Sequence, residues 1–107
     1  MFGRFFDTSA IDPFAASVAA DLRKALPVEL CESDAKAARK ARDAAQDRIR
    51  RHVDAFAASV RLNFYQKAKL GIRLQEALES AGYPAGFAKA FAYDVVSQVA
   101  QRAAGTR

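Results

Sequence analysis

The sequence predicts an all-α protein. The expected form is a three-helix antiparallel arrangement around one long central helix over about 34–81, preceded by a short N-terminal arm over 1–11. Three observations carry this. Alanine, the best helix former and one that loses no side-chain rotamer freedom, occupies 25 of the 107 positions. β-Branched residues are scarce and nowhere alternate with polar ones over four or more positions, so no strand is expected. The three prolines, Pro13, Pro27 and Pro84, stand where helices should start or stop. No repeat of twenty or more residues is visible, and the length suits one helical domain over 1–107.

The first helix is expected over about 13–26. Asp12 suits an N-cap because its carboxylate accepts from the free amides of the first turn, and Pro13 brings a preset φ and needs no donor. Phe14, Val18 and Leu22 recur every fourth residue, with Ala15, Ala19 and Leu26 beside them, which makes one apolar face. Pro27 ends it, and 27–32 reads as a connector.

Ser33 is the expected N-cap of the second helix, with Asp34 favoured by the helix dipole. From there to Ala81 there is no proline and one glycine, Gly71, so the helix is expected to run about 70 Å, with Asn63 and Gly71 as the places where it could bend. At about 100° per residue, Ala35, Ala38, Ala45, Ile49, Val53, Phe56, Val60, Phe64, Gly71, Leu74, Leu78 and Ala81 form one stripe. Arg42 and Lys67 interrupt it, as residues that bury a stem and lift a charge at an edge. Leu62, Tyr65 and Ile72 form a second stripe on nearly the opposite side.

Gly82 suits the left-handed position just past a helix end, with Tyr83 placed to reach back to Leu78 and Pro84 as the stop. Pro84 opens the third helix, expected over about 85–103, with Phe87, Ala88, Phe91, Ala92, Val95 and Val99 along one side. Short connections favour antiparallel neighbours, so the first helix should lie on the early part of the long one and the third on its later part.

The net charge is +5 but unevenly spread. Residues 1–34 hold three basic and six acidic side chains, residues 35–73 eleven and three, and the remainder three and three. An acidic partner, or the acidic start folding back on the basic middle, would satisfy this asymmetry. One cysteine, Cys31, excludes an intrachain disulfide and suits a reducing compartment. No apolar run reaches membrane-spanning length, and Asp7 and Asp12 interrupt any signal-peptide reading, so a cytoplasmic location is expected.

Chemistry is sparse. His52 is the only histidine and has no carboxylate three or four residues away, so a helical metal pair is not expected. Asp43 with Asp47, and Glu76 with Glu79, share helix faces as solvated decoration rather than as acid and base. There is no phosphate-binding glycine loop, nucleophile elbow or CxxC. No enzyme and no cofactor are expected.

Two groups are candidate contact positions. Phe2, Phe5 and Phe6 fall on one side of a helical turn and could dock on a partner; membrane contact is not favoured, because Arg4 and Asp7 leave the turn little affinity for a bilayer. Leu62, Tyr65 and Ile72 suit a two-fold crossing of two long helices, so a homodimer is expected, alongside a protein partner of unknown identity. The alternative is nucleic-acid binding through Lys36, Arg39, Lys40, Arg50 and Arg51 on phosphates. Against that reading, Asp43, Asp47 and Asp54 share the basic sector, and no aromatic residue lies between Lys36 and Arg51 for base stacking.

Overall fold

The computed structural model describes residues 7–105, and over that span the chain is helical without strands. Its helices are α1 (Ile11–Ala25), α2 (Lys36–Ser59), α3 (Phe64–Ser80) and α4 (Ala85–Gly105), with a 3-10 turn at Val28–Leu30. The single helix expected over 34–81 is therefore two helices, α2 and α3, parted by an extended segment. The arrangement is four helices rather than three around a central rod.

Local chemistry explains the break. Val60, the C-cap of α2, is extended at φ −134° and ψ 128°. Just before it, the Ser59 hydroxyl turns back onto the carbonyls of Ala55 and Phe56, at 3.3 and 3.2 Å. Asn63 then opens α3 with a full capping box. Its side-chain oxygen accepts from the Gln66 amide at 2.8 Å, and the Gln66 side-chain oxygen accepts from the Asn63 amide at 2.9 Å. A new helix start of this quality competes directly with continuation of the old helix.

The other boundaries lie close to expectation. α1 starts at Ile11, so Asp12 and Pro13 occupy its first turn and Ala10 is the N-cap. α2 starts at Lys36, two residues later than a Ser33 cap requires; the Ser33 hydroxyl accepts from the Ala35 amide instead, at 3.2 Å. Past α3, Gly82 has φ +106°, with Tyr83 N–H donating to Leu78 O at 3.1 Å and Gly82 N–H to Glu79 O at 3.0 Å. That is the pair of bonds of a Schellman motif.

Two antiparallel hairpins, α1–α2 and α3–α4, pack side by side. Phe14 stacks on Phe56 and Asp21 meets Arg48, so α1 and α2 run in opposite directions. Gln66 donates to Asp7 O and Arg73 lies 3.4 Å from Asp12, so α1 and α3 run the same way. Gln98 reaches Arg50 O and Arg102 reaches Asp54, so α2 and α4 also run the same way. The core between the hairpins holds Ile11, Val18, Leu22 and Leu26 from α1 and its end, Ile49 and Val53 from α2, Leu70, Leu74 and Leu78 from α3, and Val95 and Val99 from α4. Each large aliphatic side chain so buried contributes about 1.5–3 kcal/mol before entropy is counted. Tyr83 is buried too, its hydroxyl donating to Leu26 O and joining the two hairpins at one end.

The new helix start also resets the phase of the apolar stripe. Leu70 becomes buried although it lies outside the expected stripe, and Phe64, expected within it, is 87% exposed. Arg42 does more than lift a charge out. Its guanidinium donates to the carbonyls of Leu30, Cys31 and Ser33, at 3.2, 3.4 and 2.6 Å, and so fastens the connector between α1 and α2.

Candidate interaction surfaces

On α3 the three buried leucines mark the inner side. Ile72 lies about 160° around the helix from their centre and is 51% exposed. Tyr65, Lys69, Ile72, Glu76 and Glu79 follow one another at spacings of four and three, which makes a single stripe on the outer face. Within it the Lys69 ammonium lies 5.8 Å from the Tyr65 ring centroid, Glu76 accepts from Arg73 at 3.3 Å, and Glu79 accepts from Gln75 at 3.0 Å. The structure therefore divides the expected trio. Ile72 is exposed, Tyr65 is half-buried, and Leu62 packs half-buried against the core from the extended segment. Among the described residues the other exposed large hydrophobic side chains are Phe64 at the start of α3 and Tyr93 on α4, 72% exposed. All three belong to one hairpin. Gly71 faces Val96 across that hairpin, so Tyr93, about one turn earlier on the antiparallel α4, stands near the height of residues 74–75.

The outer face of α2 carries Lys36, Arg39, Lys40, Arg50 and Arg51, all exposed. Arg50 has Asp47 at 3.5 Å, whereas Lys36, Arg39, Lys40 and Arg51 have no side-chain hydrogen bond or ion pair with the described residues. Asp43 and Asp47 are exposed on the same helix.

A constellation that local sequence spacing does not show joins α1 to α2. Ser17 Oγ lies 3.3 Å from His52 Nε2, His52 Nδ1 lies 3.7 Å from Asp21 Oδ2, and Arg48 holds Asp21 at 2.8 Å. Phe14 packs edge-on against the His52 ring at 5.4 Å. The residue types match a nucleophile, base and orienting acid. An oxyanion site, however, needs unspent N–H donors beside the nucleophile. Ser17 stands well inside α1, where backbone N–H groups are used by the helix ladder. The stronger partner of Asp21 is Arg48. The group acts as a polar clasp between the two helices.

A shallow cleft of about 220 Å³ separates α2 from α4, with Ile49, Val95 and Phe91 at its apolar side and Arg50, Asp94 and Gln98 at its polar side. Farther along, Arg102 grips Asp54 with two bonds, at 2.7 and 3.0 Å, and Gln98 adds a third at 3.2 Å. The Arg102 guanidinium, then the Gln98 amide, hold the Asp54 carboxyl below its usual range. Cys31 is a free, buried thiol, and burial followed by the Glu32 carboxylate pushes its pKa up, away from the reactive thiolate. Among the described residues no three His, Cys, Asp or Glu side chains gather as a metal site would require, and no helix is long and apolar enough to cross a membrane. The candidate contacts Phe2, Phe5 and Phe6 lie outside the described residues. Comparison with protein-family models, with curated proteins and with solved structures finds no match to this chain.

Proposed function

We propose that the protein is a small non-catalytic helical interaction module of the cytoplasm that works by associating with a second copy of itself. The observation that carries this reading is the placement of Ile72, Phe64 and Tyr93, the exposed large hydrophobic side chains among the described residues, all on the α3–α4 hairpin. Single exposed hydrophobics are ordinary on a soluble protein, whereas three spread along one hairpin leave apolar surface there that association would cover. Light scattering tests it: the expected mass is twice 11.6 kDa, and Ile72→Asp should return the chain to monomer. An unchanged dimeric mass in that variant removes this face from the interface.

A second reading rests on Lys36, Arg39, Lys40 and Arg51, four exposed cations on α2 without a partner among the described residues. Such a row can neutralise phosphates of a nucleic acid. Binding to a short duplex should then fall steeply as salt rises, and Lys40→Gln with Arg51→Gln should flatten that dependence. Affinity that is indifferent to salt excludes it.

A further inference from the structure

We propose that the second copy seats on α3 in one register: an antiparallel, two-fold pairing with Ile72 at the axis, in which Lys69 of each copy faces Glu76 of the other. This rests on the self-association reading and adds to it the symmetry and the register. The outer stripe of α3 is split by charge about Ile72, with Lys69 on the N-terminal side and Glu76 and Glu79 on the C-terminal side. A two-fold axis through Ile72 sets each position opposite the one equally far beyond the centre. Tyr65 and Glu79, each seven residues from the axis, then lie side by side, and the two Ile72 side chains cover each other. Lys69 and Glu76, three residues before the axis and four beyond it, fall within one residue rise, about 1.5 Å, of the same level and so pair twice. A parallel pairing would set Lys69 against Lys69 and Glu76 against Glu76, which like charge disfavours. The stripe is self-complementary in the one orientation that closes on two copies, as an isologous interface must be. A single helix of 17 residues offers less than the roughly 1,200 Å² of a stable interface. Tyr93 and Phe64 enlarge the footprint, and the dimer exchanges with monomer at modest concentration.

A charge exchange between two variants tests the register. In Lys69→Glu alone both facing pairs become Glu against Glu, and in Glu76→Lys alone both become Lys against Lys. Each should weaken its own dimer by about tenfold at low salt. An equimolar mixture restores both pairs as Glu against Lys, so heterodimers should form with nearly the wild-type affinity, as read by sedimentation velocity across a concentration series. This rescue is independent of any harm either change does to its own chain. As a second measurement, Ile72→Cys in a Cys31→Ala chain should oxidise to a covalent dimer through the axis. A wild-type dimer whose charge variants show no rescue on mixing, or whose introduced thiols fail to join, overturns the register and leaves self-association standing. A wild-type chain that stays monomeric up to about 1 mM overturns both.

Discussion

Replacing Arg42 by Met should destabilise the fold by about 2 kcal/mol, and the figure follows from what its guanidinium touches. One nitrogen lies 2.6 Å from Ser33 O, 3.2 Å from Leu30 O and 3.4 Å from Cys31 O. That nitrogen carries two protons, so at most two of the three carbonyls are served well at once, and the shortest contact dominates. A hydrogen bond from a charged donor contributes about 1.5–3 kcal/mol net, and the half-buried site lets water recover part of the loss. Met keeps the apolar stem in place, so the comparison isolates the guanidinium. Urea unfolding followed by circular dichroism should show the midpoint falling by roughly 1–2 M for a slope of about 1–2 kcal/mol/M. Lys should give an intermediate loss, because a compact ammonium cannot span the same carbonyls. A second readout is local. Cys31 lies in the fastened connector, so its thiol should react faster with an aromatic disulfide reagent under native conditions in the Met variant. A Met variant within about 0.5 kcal/mol of the parent, with Cys31 equally protected, would refute the assignment of Arg42 as the connector's fastening.

Three further outcomes are expected. Asn63→Ala should cost about 1 kcal/mol in urea unfolding, because it removes the side-chain oxygen that caps α3; a neutral result would mean that the break between α2 and α3 does not depend on the capping box. Gly82→Ala should cost about 1–2 kcal/mol, with backbone strain as the cause: a Cβ there meets Val28 at an ordinary 3.5 Å while φ stays at +106°. Asp54 has a lowered folded-state pKa, so its contribution is fully present above the unfolded value of about 3.9 and is lost as pH falls through the folded one. Thermal melts of Asp54→Asn and the parent should therefore differ by a constant amount at neutral pH and converge below about pH 4, and a gap that persists into acid would exclude the Arg102 pairing as its source.

Helix identity was legible because it rests on local chemistry. Pro13, Pro27, Gly82 and Pro84 act on their own backbone, and Leu74 and Leu78 declare one face of α3 by spacing alone. The break at 60–63 was legible in part. Asn63 and Gln66 stand at the spacing of a capping box, a signal of a helix start, yet the absence of proline and glycine there argued for continuity. Missing it misplaced Phe64 and Leu70, since phase tracked through a break assigns the wrong side. The Ser17–His52–Asp21 clasp is different in kind. Ser17 and His52 are 35 residues apart, and no helical period connects them until α1 lies against α2. Arg42 sits between these cases. A lone cation in an apolar stripe just after a connector is a visible oddity, but only the fold shows the carbonyls that receive it.

The break also decides how much surface remains for a partner. A continuous rod over 34–81 would hold its main stripe along about 70 Å, and two short helices could not cover it. Interrupting the rod at Val60–Asn63 folds the second half back, so Ile49 and Val53 share one interior with Leu70, Leu74 and Leu78. The main stripe is thereby satisfied within a single copy, and it no longer argues for a dimer. What survives is the second stripe, reduced to Ile72 and part of Tyr65 once Leu62 leaves the helix to pack on the core. Its apolar area is small, so the proposed pairing of two copies has to draw on Lys69 and Glu76 as well. An interface of that composition weakens with salt, which an apolar ridge from an uncovered rod would not do. Dimer affinity measured at low and at high ionic strength therefore separates a chain that folds at Asn63 from one that stays straight.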